Sequence, residues 1–237
     1  MSRARTTSSD FPIWTEHLRL RPFARPDEDV LLAIFRDDGV RRFLLDGKLV
    51  DRDWVRAEIE TSIRRFADGG LGIFLAHDRR DDRAIGFAGF RPFREPPVLE
   101  LLYGLYPAFW GRGLATEMGA AMLALAFEQH GLDAVETTVD APNVVSLRVL
   151  QRLGLSEIDR SHGAFGTTLH YRLTRADWEH GSGDGATKAC FGKARLPHDR
   201  HLSYSLAPGS DEAARRHCCP RERGSAPPRL EGFARPR

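Results

Sequence analysis

Gly111 and Gly113, within Phe109-Trp110-Gly111-Arg112-Gly113-Leu114-Ala115-Thr116-Glu117, have the type and spacing to hold an anion. They lie between a predicted strand and a strongly helical segment. Glycine lets backbone N–H groups turn toward a ligand with no Cβ in the way, and a helix start adds unpaired N–H groups and the positive end of its dipole. A diphosphate fits such a cradle; a plain tight turn before a helix is the other reading of a lone Gly-x-Gly. Two phosphate-binding patterns fail here. The dinucleotide fingerprint lacks its third glycine, replaced by Thr116, although Asp133 lies about 20 residues past the turn. The P-loop lacks its Gly-Lys-Ser/Thr.

No thiol complements the cradle. Cys190, Cys218 and Cys219 all fall in 181–237, a Gly, Pro, Ser and Arg mixture without sustained period that is expected to be disordered. This excludes cysteine-based covalent catalysis from the folded part. Cys218-Cys219 beside His217 has no second pair at ligand spacing, so no metal is expected. The same tail holds 11 Lys/Arg against 6 Asp/Glu, within a net charge of +2 for all 237 residues, and leaves a slightly acidic remainder. The core is therefore not expected to bind nucleic acid. The tail is either a solvated extension or a contact for an anionic partner such as RNA.

With 41% hydrophobic residues, the chain can bury one full core, expected over 14–180 behind a flexible 1–13. Met1 to Asp10 is polar without a signal-like apolar stretch, and no apolar run reaches the roughly 18 residues of a membrane span. A cytoplasmic protein without membrane attachment is expected.

The elements that must position the turn follow from periodicity. His17–Arg21 alternates as a half-buried strand, and Asp29–Phe35 repeats Val30, Leu31, Ile34 and Phe35 at helical spacing. Asp51 is placed to cap a helix through about Ala67 that carries Trp54, Val55, Ile59, Ile63 and Phe66 on one face. Leu71–His77 and Ala84–Arg91 form a hairpin around Asp78–Arg83. Val98–Tyr106 adds a strand, the glycine turn follows, and a helix runs from Gly113 to about His130. Its Ala115, Gly119, Ala120, Ala121 and Ala124 would let it approach the sheet closely. A strand over Asp133–Asp140, a helix over Asn143–Leu153 and a last hairpin, Leu155–Arg160 with Thr167–Leu173, complete the order. The expected fold is α/β: a mixed, mostly antiparallel sheet of about seven strands flanked by about four helices.

Three features now stand in fixed order: Glu100-Leu101-Leu102-Tyr103-Gly104-Leu105, the glycine turn, and Asn143-Val144-Val145-Ser146 followed by Leu153-Gly154-Leu155. Together they resemble the GNAT superfamily of N-acetyltransferases, most closely its branch of ribosomal-protein N-terminal alanine acetyltransferases. Thr15-Glu16-His17-Leu18-Arg19-Leu20-Arg21-Pro22 and Tyr171-Arg172-Leu173-Thr174-Arg175-Ala176-Asp177-Trp178 are similar to that branch too. The resemblance covers about Trp14 to Glu179.

It implies acetyl-CoA as cosubstrate, with the pyrophosphate on the pattern Gln/Arg-x-x-Gly-x-Gly/Ala. The matching residues are Trp110, Gly111, Arg112, Gly113, Leu114 and Ala115, with Thr116 at the helix start; Trp110 departs from the first position. Backbone donors from Arg112 to Ala115 matter most, and the Arg112 guanidinium adds a charge-assisted contact. The resemblance also implies a V-shaped gap between the strands near 98–106 and 133–140. There the pantetheine arm inserts like an extra strand along Tyr103, Gly104 and Leu105. Tyr103 and Tyr106 are otherwise ordinary sheet packing.

Direct attack by an amine needs no enzyme nucleophile, but a proton must leave the ammonium and the departing thiolate must be stabilised. Glu100 matches the position of the base in several members; a surface charge at a strand start is the alternative. The helix Tyr that serves many relatives as leaving-group acid is Leu150 here, and Ser146 is the available substitute. Asn143 caps a helix, contacts pantetheine, or does both.

The implied acceptor is a primary amine, with the α-amine of a ribosomal or other protein N-terminus favoured and polyamines or antibiotics as alternatives. A non-catalytic acyl-CoA sensor is the competing reading that Leu150 raises. Pocket walls are expected from Phe43–Leu45 and Ser161–Phe165, with His162 a polar loop residue. Both a monomer and a homodimer are compatible with the sequence.

Overall fold

The computed structural model describes residues 12–93 and 98–181. Residues 1–11 of the expected flexible start, the basic tail with its cysteines and the loop Arg94-Glu95-Pro96-Pro97 lie outside the described residues, whereas Ile13, also placed in that flexible start, is a fully buried strand residue.

Eight strands form one sheet: β1 (Ile13–Trp14), β2 (Leu18–Pro22), β3 (Ile73–Asp78), β4 (Ala84–Phe93), β5 (Val98–Leu105), β6 (Ala134–Asp140), β7 (Ser156–Gly163) and β8 (Gly166–Thr174). Their order is β1-β2-β3-β4-β5-β6-β8-β7. Neighbours are antiparallel except β5 and β6, which run parallel. The expected mixed, mostly antiparallel sheet is present with eight strands rather than about seven. The addition is β1, two residues paired to Leu20 and Arg19 and too short to show a period.

Six α-helices flank the sheet: α1 (Glu28–Arg36), α2 (Asp38–Arg41), α3 (Arg52–Ala67), α4 (Leu114–Ala124), α5 (Val144–Arg152) and α6 (Arg175–His180). Two of them exceed the expected four, and both are made by caps. Asp37 accepts from the N–H groups of Gly39 and Val40 to start the single turn of α2. Thr174 and Asp177 form a reciprocal capping box on α6, a signature the sequence carries as Thr-x-x-Asp. Asp51 caps α3 as expected, accepting from Trp54 N–H at 2.8 Å. The long helix expected to reach His130 ends its α-geometry at Ala124 and widens into a π-turn, Leu125–Gln129, closed by His130 N–H on Leu125 O.

The sheet separates two apolar clusters. Leu31, Ile34 and Phe35 of α1 and Val55 and Ile59 of α3 pack with Phe87 on one face, at the i, i+3, i+4 spacing that makes one helix stripe. On the other face α4 and α5 cover Leu101, Leu105 and Val135. At Gly119 of α4 the close neighbour is Leu153, the residue that ends α5: a Cβ there would stand 2.5 Å from Leu153 Cδ1. Phe23, Phe74, Phe87, Phe90 and Phe127 are fully buried, each contributing about 1.5–3 kcal/mol of burial. No helix among the described residues is long and apolar enough to cross a membrane.

Candidate active site

The two parallel strands barely touch. β5 and β6 share one paired position, Glu100 with Glu136, and beyond it they part toward their C-terminal ends. The expected V is therefore formed, with the α4 start beyond one arm and the α5 start beyond the other. Crevices outside the carboxyl ends of parallel strands are where α/β sheets bind ligands.

The edge of β5 turns toward the gap at alternate residues. Tyr106 N–H bonds Ile85 O, and backbone direction alternates along an antiparallel ladder. Residues 100, 102 and 104 thus bond β4, while 101, 103 and 105 turn toward β6. Leu101 O accepts from Thr137 Oγ1 at 2.8 Å and Leu105 O from Trp110 Nε1 at 2.7 Å. The Tyr103 N–H and C=O face this gap, beyond the one position at which β5 and β6 pair. Of the three residues expected to receive the arm, Tyr103 and Leu105 turn toward β6, whereas the backbone groups of Gly104, paired with Phe87, face β4.

The glycine turn has the expected shape. Gly111 and Gly113 adopt φ of 73° and 79°, and a Cβ on either would enter open space. Gly113 occupies the cap position of α4 without a side chain to bond the first turn, which leaves the N–H groups of Leu114, Ala115 and Thr116 directed outward. Thr116 Oγ1 is buried with no hydrogen-bond partner among the described residues. Trp110 is 44% exposed; through its indole bond to Leu105 it ties the turn to the strand. Arg112 stacks 5.3 Å from the Phe109 ring centroid, with Arg83 at 5.0 Å from the same ring. An open cradle, an orphaned hydroxyl and a strand edge turned toward the gap fit a diphosphate followed by an amide-bearing arm.

A cavity of about 310 Å³ fills the V, within the range of small-molecule sites. It brings together Glu100, Tyr103, Asn143, Ser146 and Leu150. Glu100 is 3% exposed, so it is no surface charge. Its Oε2 accepts from Arg91 Nε at 2.9 Å and its Oε1 from Thr138 Oγ1 at 2.6 Å. Asn143 Oδ1 caps α5 by accepting from Ser146 N–H at 3.3 Å, and the residue lines the cavity as well. Tyr103 Oη donates to Ser146 O at 3.5 Å. Burial pushes the Tyr103 phenol up to about 12, against a smaller downward pull from that bond.

Phe43, Leu44 and Leu45 line the cavity as well, as expected. Leu45 has φ of 52°, a left-handed backbone costing a non-glycine residue about 1–2 kcal/mol. The last hairpin contributes Thr168 rather than Ser161–Phe165. Phe165 is outside the lining and packs edge-on to Phe43, with ring centroids 5.8 Å apart. His162 is not in the lining. Sequence reasoning missed Arg91, Thr137, Thr138, Asp140 and Thr168. The Thr137-Thr138 pair on a strand bordering the V was the available signal. Among the described residues no cluster of His, Cys, Asp and Glu could hold a metal ion.

The profile of the acetyltransferase (GNAT) domain matches residues 17–156, which contain both the cradle and the V. The chain belongs to the GNAT acetyltransferase family. It is thus an acetyl-transferring enzyme of a family that uses acetyl-CoA. It is 27% identical to YkkB of Bacillus subtilis over 60% of this chain and 83% of that protein. It is 26% identical to the N-acetyltransferase p20 of Bacillus licheniformis over 61% and 82%. Among solved structures, a GNAT acetyltransferase from Bacillus anthracis superposes with a TM-score of 0.59 at 18% identity, covering 70% of this chain and 99% of that one. The ribosomal-protein-S5-alanine acetyltransferase of Vibrio fischeri gives 0.59 at 15% identity, over 70% and 97%. A spermidine N-acetyltransferase chimera from Vibrio cholerae and hSSAT also gives 0.59, at 14%, over 69% and 99%. The last two share one fold and differ in acceptor, so for this GNAT protein the fold leaves the acceptor to the cleft.

Proposed function

We propose that this enzyme transfers acetyl from acetyl-CoA directly to the α-amine of a protein N-terminus. The observation that carries the reading is how little negative charge the cavity offers. Its carboxylates are Glu100 and Asp140, with Arg91 among them; Glu100 is already bonded to Arg91 and Thr138, and Asp140 accepts from Thr168 Oγ1 at 2.8 Å. An α-amine, with pKa near 8, reaches its neutral form with about 2.5 units less help than a lysine, or roughly 3.5 kcal/mol. A polyamine brings several ammonium groups and calls for more carboxylates than these. Phe43, Leu44 and Leu45 give apolar wall for the residues behind a peptide's first nitrogen.

The geometry supports a role for each residue in this reading. The N–H groups of Leu114, Ala115 and Thr116, with Gly111 and Gly113 clearing the approach, hold the diphosphate. The Arg112 guanidinium adds charge there. The Tyr103 N–H and C=O receive the arm as an added strand. Asn143 and Ser146 place polar groups beside it from α5. A carboxylate has about four acceptor sites, so Glu100 keeps Arg91 and Thr138 while accepting the amine N–H and then its proton. When bound, acetyl-CoA supplies the activated acyl group. Product mapping on a peptide carrying both a free N-terminus and an internal lysine tests the reading: acetylation at the N-terminus supports it, and exclusive lysine acetylation refutes it.

A further inference from the structure

The cavity is rich in hydroxyls, yet most of their protons are already donated. Thr137 Oγ1 donates to Leu101 O, Thr138 Oγ1 to Glu100, and Thr168 Oγ1 to Asp140, at 2.8, 2.6 and 2.8 Å. A hydroxyl has one proton, so these three have none left for a ligand. Leu150, 1% exposed, gives an apolar wall. The Tyr103 phenol is different. Its bond to Ser146 O is long, at 3.5 Å, and that carbonyl also has the position to accept the helical bond from Leu150 N–H. Little is lost when the phenol turns to a better acceptor.

Its placement is also suited to one. Leu101 and Tyr103 point to the α4–α5 side of the sheet, whereas Leu102, one residue away, packs with the α1–α3 side. Glu100 shares the parity of Leu102. Proton acceptor and hydroxyl donor therefore stand on opposite faces of one strand, three residues apart. A reacting carbonyl between the strands would meet the incoming amine from one side and expel its leaving group toward the other.

We propose that Tyr103 Oη–H is the hydrogen-bond donor that stabilises the coenzyme A thiolate as it leaves. The inference rests on the acetyl-transfer reading above. In the step, the amine nitrogen forms its bond to the acetyl carbon, the C–S bond breaks, and its electron pair goes to sulfur. The nitrogen's proton goes to Glu100 and from there to solvent or the thiolate. Tyr103 keeps its own proton throughout. Burial supports this division of labour, because a phenol at about 12 stays neutral wherever the enzyme works and remains a donor.

The test is the thiol pKa of bound coenzyme A, read from thiolate absorbance during a pH titration of the wild-type complex and of Tyr103→Phe, with Ser146→Ala in parallel. Hydrogen bonding to the charged form should hold the thiol lower in wild type by about one unit, a tenfold preference for thiolate. Coenzyme A lacking its sulfur should bind both proteins alike. In turnover, Tyr103→Phe should lower kcat about 10- to 100-fold, with KM for acetyl-CoA within about threefold. Equal thiol pKa values in wild type and Tyr103→Phe, or a shift lost only in Ser146→Ala, overturn the inference and leave acetyl transfer standing. Failure of the wild-type protein to bind coenzyme A overturns both.

Discussion

Glu100 and Glu136 face each other as the single paired position of β5 and β6, and both carboxylates are buried. Like charges directly across strands repel, and at this apex of the cleft each of the two has a cationic neighbour to offset this. Arg91 Nε lies 2.9 Å from Glu100, and Arg172 Nε lies 4.0 Å from Glu136. Breaking one buried pair leaves an uncompensated charge. Arg91→Met should therefore destabilise the protein by about 3 kcal/mol in urea unfolding, and adding Glu100→Gln should recover part of that. A loss within about 0.5 kcal/mol, the range of ordinary surface changes, would show that the apex does not depend on the pair.

Glu100 is also the proposed proton acceptor, and Glu100→Gln separates that role from the apex. At pH 7 the substitution should lower kcat/KM about 100-fold. The deficit should shrink as pH rises past the α-amine pKa near 8, because the nucleophile then arrives neutral. Steady-state rates across pH check this; equal rates for the two proteins at pH 7 would remove Glu100 from the chemistry.

Gly113→Ala separates strain from occupancy. Its φ of 79° penalises any Cβ, while the space that Cβ would enter is open. Thermal melts should show a cost of about 1–2 kcal/mol. Calorimetric titration should show coenzyme A affinity falling at least about tenfold, because the methyl group occupies the anion cradle. Unchanged affinity would place the diphosphate elsewhere.

Much of this site was readable in the residues. The cradle and the Asn143 cap needed only glycine spacing and a capping residue, while the V came with the family resemblance. What escaped reading depends on pairing register, which periodicity does not encode. That Gly104 faces β4 while Tyr103 faces the gap follows from one bond, Tyr106 N–H to Ile85 O. Glu100 looked equally like a surface charge, because its partners come from β4 and β6, nine residues before it and 38 after. β1 and α2 were missed because two and four residues are shorter than the periods that reveal strands and helices.

The acid limb of stability should run through Asp78. Arg80 beside it holds the Asp78 carboxyl at about 2, below its ordinary 3.8. A depressed folded-state value adds stability that is present above the unfolded pKa and lost as pH falls through the folded one. Arg80→Ala should therefore begin to unfold at higher pH than wild type, with the difference developing between about 4 and 2. Circular dichroism during acid titration reads it, and coincident curves would contradict the assignment.

Initial rates of free coenzyme A release test the central claim most directly. Purified protein and acetyl-CoA would be offered a lysine-free peptide with a free α-amine, the same peptide blocked at its N-terminus but containing lysine, and spermidine. The account predicts release well above hydrolysis with the first alone. Release with spermidine or the blocked peptide and none with the free α-amine would contradict it.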